Sequence, residues 1–194
     1  MNRFVRTLVV AVASLALTLP ATASANDDRH DDRHFKTHLS GFNEVHPPNL
    51  GIGAIFSTGS GRLKLRIDRH VQAIRYELSY DFPDAAQTPL VGTGFVNQAH
   101  LHFGQKHTTG GIAVWLCQGD NVGPAGTPTC PSTSGTVSGT ILPANVIALP
   151  LQGLPSDFDA LVAALRSGAI YANVHTDRFA AGEIRGHLED RDDD

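Results

Sequence analysis

Groups that enzymes use for covalent chemistry are scarce in this chain. Cysteine occurs twice in 194 residues, at Cys117 and Cys130, and never as C-x-x-C. The sequence also has no G-x-S-x-G, G-x-x-x-x-G-K-S/T or H-E-x-x-H, which removes the nucleophile elbow, the phosphate-cradling loop and the helical zinc-protease pair. Acids that might work in pairs are spoken for by local structure. Asp157 and Asp159 stand at a helix start, and Asp81 and Asp84 bracket Pro83 in a turn. No catalytic residue is assigned on this basis, and an enzyme is the less favoured reading.

Basic charge is short as well. The chain carries 15 Lys+Arg against 19 Asp+Glu. Nucleic-acid binding requires clustered cations against phosphate, so it is excluded as an expectation. Long apolar runs are confined to residues 1–25, "MNRFVRTLVVAVASLALTLPATASA". Arg3 and Arg6, an apolar stretch from Leu8 to Leu19 and the small residues Ala23-Ser24-Ala25 read as a secretory signal peptide. The stretch is shorter than the roughly 20 residues that span a bilayer. The expected product is secreted or periplasmic, without a membrane span, and carries a net charge of −6 from 13 Lys+Arg and 19 Asp+Glu.

In an oxidising compartment the even pair Cys117 and Cys130 predicts a disulfide, with thiolate metal ligation as the alternative. Residues 26–34, "NDDRHDDRH", lack large apolar side chains and read as a disordered tail, and residues 189–194 read as an acidic one. Between them the pattern has period 2. Segments 35–42, 61–68, 71–82, 98–104, 111–117, 135–142, 169–176 and 182–188 alternate apolar and polar residues between turn formers. One segment has helical spacing: Phe158, Leu161, Val162 and Leu165, with Ser156 as N-cap and Gly168 at the C-terminal end. The expected fold is all-β, an antiparallel Greek-key sandwich or partly closed barrel of about eight strands with one short amphipathic helix.

Ten histidines stand out against this poverty of reactive groups. On a strand, residues i and i+2 share a face, about 6.5–7 Å apart. His100 and His102 therefore point together, away from Ala99, Leu101 and Phe103, and His175 shares a face with Tyr171 and Asn173. If the two strands are neighbours, three imidazoles converge into a site for a transition metal, copper first and zinc as the alternative. His107 is a candidate fourth ligand. The competing reading leaves all of them as solvated strand or loop residues. Glu183 and Arg185 share a strand face and are expected to be surface charges that set register.

These segments carry a resemblance. "LSGFNEVHPP" (39–48), "AHLHFGQ" (99–105), "GGIAVWLC" (110–117), "SGTVSGTI" (134–141), "FDALVAALRSGAIYANVHT" (158–176) and "GEIRGHL" (182–188) look, in that order, like a CHRD (chordin-type) domain over residues 35–188. His46 interrupts the family's E-V-P-P entry, and "FAAGEIRG" replaces F-P-G-G-E-I-R-G. The resemblance implies an all-β domain of exported proteins and admits a protein partner outside the cytoplasm. A fainter likeness to copper-zinc superoxide dismutase implies that His100, His102 and His175 fall at copper positions, although its bridging histidine has no counterpart. Three functions follow as expectations: a non-enzymatic metal-binding domain, a metal-free interaction module, and a dismutase-like metalloenzyme.

Overall fold

The computed structural model describes residues 33–46, 53–83, 94–119 and 122–190. The expected signal peptide, most of the expected N-terminal tail, Asp84 and residues 191–194 lie outside the described residues. Eight strands form the main path of a single antiparallel sheet, to which a short ninth is added at β1: β1 (His34–Ser40), β2 (Ser60–Asp68), β3 (Ala73–Asp81), β4 (Val96–Phe103), β5 (Gly111–Gln118), β6 (Ser134–Ile141), β7 (Ile170–Thr176) and β8 (Ile184–His187). Their spatial order is β5-β4-β7-β8-β1-β2-β3-β6.

The edge strands β5 and β6 are drawn toward each other, which curls the sheet into a nearly closed barrel. Tyr76 of β3 donates its hydroxyl to the Leu116 carbonyl of β5 at 2.6 Å. Residues 128–133 stitch the two edges through Gln118 N to Pro128 O, Cys130 N to Gln118 O and Val96 N to Ser132 O. The Cys117–Cys130 disulfide closes the same corner. Near-closure matters because an open strand edge presents unpaired backbone groups to other chains.

Alternation decides which residues enter the barrel. Leu63, Leu65 and Ile67 of β2 are buried with Ile74 and Leu78 of β3, Leu101 of β4 and Val174 of β7. Burial of each large aliphatic side chain contributes about 1.5–3 kcal/mol. On the outer face of β2 and β3 the partners are charged and wet, as in the exposed pair Lys64–Glu77 at 3.0 Å. The helix α1 (Phe158–Arg166) adds Phe158, Leu161, Val162 and Leu165 to the same core.

Three boundaries differ from the sequence expectation. His34, assigned to the tail, opens β1 opposite Arg66. Glu189 and Asp190, assigned to the acidic tail, form a two-residue strand β9 on β1, and Arg33 anchors it to Asp190 at 2.7 Å. The helix cap is Asp157, whose carboxylate accepts from Ala160 N at 2.8 Å. Ser156 instead donates its hydroxyl to the Val146 carbonyl, so the cap moves one residue on. Gly168 follows the helix at φ 68°, a left-handed turn that glycine adopts without strain.

Reduction of the disulfide is expected to lower unfolding free energy by about 3 kcal/mol, the loop-closure value for a ring of this size. Urea denaturation with and without reductant measures it. An unchanged midpoint would mean that the hydrogen bonds of residues 128–133 close the corner unaided.

Candidate metal centre

The strand β7 is buried along its whole length, on both faces. Ile170, Ala172 and Val174 enter the barrel core, while Tyr171, Asn173 and His175 face outward and are just as inaccessible. Its neighbour β4 pairs antiparallel with it, placing His100 opposite Asn173, His102 opposite Tyr171 and Gln98 opposite His175. His100 and His102 are buried as well. A polar layer is therefore sealed against the outside of the barrel wall. Register shifts in the β4–β5 pairing fall immediately before each of the two β4 histidines, and bulges of this kind re-aim side chains.

The three imidazoles converge. Their candidate ligand nitrogens all lie within 4.8 Å of one another. The His100 ring centroid is 5.3 Å from that of His102 and 5.0 Å from that of His175. Trp115 of β5 packs edge-on against His100 at 4.2 Å. Tyr171 lies parallel to the His102 ring at 4.8 Å, and the Arg185 guanidinium sits 3.5 Å above Tyr171.

Two of the rings have their tautomers fixed by backbone carbonyls, which only accept. His102 Nδ1 donates to Gly110 O at 3.0 Å, and His175 Nδ1 donates to Ala180 O at 3.0 Å. Each Nε2 is thereby left with a lone pair, and neither has a hydrogen-bond partner. Both nitrogens of His100 are likewise buried and unpartnered. Burial holds all three rings below the ordinary histidine range: His100 falls to about 2, with His175 and His102 adding to the effect. His102 falls to about 4, and His175 is lowered in the same sense. The three are neutral at physiological pH.

Gly110 is the hinge of this arrangement. Its carbonyl receives His102, and its N–H donates to the Tyr171 hydroxyl at 3.0 Å. A Cβ there would overlap the Phe103 carbonyl, so only glycine lets the loop approach this closely.

Further buried polar groups surround the histidines. Glu44 Oε1 accepts from Val45 N and from Asn173 Nδ2, while Oε2 has no partner, and burial raises its pKa. His46, the residue that departs from the family entry motif, donates from Nε2 to Gly182 O at 2.8 Å. His107 lies elsewhere: it is exposed in the loop after β4 at φ 64° and stands outside the three-histidine group.

Glu183 and Arg185 correct the surface-charge expectation, since both are buried and neither pairs with the other. Glu183 accepts from the Ser57 and Thr176 hydroxyls. Arg185 donates through Nη2 to Thr108 O at 2.7 Å and covers Tyr171. Alternation alone could not reveal this, because the outer face of β8 is covered by chain distant in sequence. Trp115 also goes unmarked by sequence patterning, although it stands opposite His100 in the β4–β5 register.

Among the described residues no helix is long and apolar enough to cross a membrane. Comparison with curated proteins and with solved structures finds no match in either. The sequence does match the CHRD domain family over residues 35–188, from the start of β1 to the end of β8. The chain belongs to the CHRD domain family.

Proposed function

We propose that this protein is an exported, non-enzymatic CHRD domain that binds one transition-metal ion through His100, His102 and His175, copper in preference to zinc. The observation that carries the reading is the set of unpartnered lone pairs. Buried polar nitrogens are almost always hydrogen-bonded, yet three neighbouring rings present nitrogens with nothing to accept. A metal ion satisfies them together. Metal–nitrogen bonds of about 2.0–2.1 Å require only a modest contraction of the present cluster. The Nδ1–carbonyl bonds of His102 and His175 are the kind of outer support that orients metal-bound imidazoles.

Copper is favoured because divalent affinities for nitrogen sites peak there. A copper ion so held would be available for transfer or storage. Export is supported by the leader-like residues 1–25 and by the disulfide, which suits an oxidising compartment.

Isothermal titration with Cu(II) tests the proposal. The protein is expected to bind one equivalent at the site, and the His100→Ala/His102→Ala/His175→Ala variant is expected to lose that equivalent. Equal titration curves for both proteins would sink the metal reading and favour the metal-free module.

The depressed histidine pKa values also fix a pH dependence for the metal-free protein. Between the ordinary value of 6.5 and the folded value of about 4 for His102, the unfolded chain binds more protons than the folded one. Stability is thus complete above 6.5 and declines as pH falls toward 4, by about 1.4 kcal/mol per pH unit for each histidine so affected. Thermal melts across this window should show the decline, and a His102→Gln variant should show a shallower one. Parallel profiles for the two proteins would contradict neutral burial of the ring.

A further inference from the structure

The stack His102–Tyr171–Arg185 ends at a cleft of about 520 Å³, lined by Arg185 but by none of the three histidines. This is within the size range of small-molecule sites. Arg185 is 1 % exposed. A buried guanidinium normally has a carboxylate partner, because an uncompensated charge is costly away from water. Arg185 has no carboxylate within ion-pair distance among the described residues, and Glu44 acts on it only through a longer-range charge attraction. Its Nη2 meets two backbone carbonyls and His187 Nε2, and its Nη1 has no hydrogen-bond partner.

The acids that share the cleft do not answer this need. Glu189 is exposed and pairs with Lys106 at 3.5 Å. Glu44 forms no hydrogen bond or ion pair with Arg185: Asn173 and Val45 N engage its Oε1, its Oε2 has no partner, and burial shifts the group toward its neutral form. Lys36 and Lys106 add positive charge to the lining. Phe42 and Val45 are the apolar residues of the lining, and Phe42 is 66 % exposed and meets Phe56, outside the lining, edge-on at 6.1 Å.

We propose that this cleft binds a small organic carboxylate with an apolar or aromatic body. The carboxylate is the missing partner of Arg185, whose unpartnered Nη1 would donate a charge-assisted hydrogen bond to it. Lys106 supplies a second cation, and Phe42 packs on the body of the ligand. The proposal does not depend on metal binding, so the two can fail separately.

The test is calorimetric titration of the metal-free full chain with benzoate, and with inorganic phosphate in parallel. Saturable one-to-one binding of benzoate is expected, with phosphate weaker. Arg185→Gln should weaken benzoate by at least about tenfold, as loss of a charge-assisted hydrogen bond does. Lys106→Glu and Phe42→Ala, both at exposed positions, should each weaken it less. If Arg185→Gln does not fold by circular dichroism, the other two variants decide. The proposal is overturned by the absence of saturable benzoate binding. It is equally overturned by affinity unchanged in folded Arg185→Gln or in both other variants, or by phosphate binding as tightly as benzoate.

Discussion

Burial of β7 on both faces is the constraint around which the rest of this structure is arranged. One face is apolar and is served by the barrel interior. The other carries Tyr171, Asn173 and His175, which cannot be sealed from water without partners. The segment carrying Glu44, the loop around Gly110 and the turn through Ala180 deliver those partners as a carboxylate, an N–H and a backbone carbonyl. Three stretches far apart in sequence are held against one strand by the hydrogen bonds it demands.

These bonds are distributed unevenly, and the unevenness gives the site its character. Asn173, Tyr171 and the Nδ1 atoms of His102 and His175 are each engaged. The nitrogens that remain face one another. Desolvation keeps them uncharged, so the protein holds lone pairs, rather than protons, at the point where the rings meet. The aromatic neighbours Trp115 and Tyr171 pack against the rings without competing for those lone pairs.

Much of the fold was legible because alternation is a local signal. The strands from Leu63-Leu65-Ile67 to Ile170-Ala172-Val174 fall where period 2 places them, and the shared face of His100 and His102 follows from i, i+2 geometry alone. What alternation cannot supply is the environment of the outer face. Arg185 and Glu183 read as surface charges because polar residues opposite apolar ones usually meet water. Here they meet other chain segments instead, and that depends on contacts spanning 77 residues for Arg185 to Thr108 and 126 for Glu183 to Ser57. The helix cap failed for the opposite reason: two adjacent residues, Ser156 and Asp157, could both serve, and a distant carbonyl at Val146 took the serine.

The antiparallel register of β4 and β7 has a further consequence. Side chains on a strand change faces with every residue, so a slip of one position would turn His100 and His102 into the barrel and Leu101 outward. The misaligned sheet would bury two imidazoles among aliphatic side chains and strand the carbonyl of Gly110. The cluster therefore acts as a proofreader of strand alignment: the pairing that assembles it is the one that leaves the core dry.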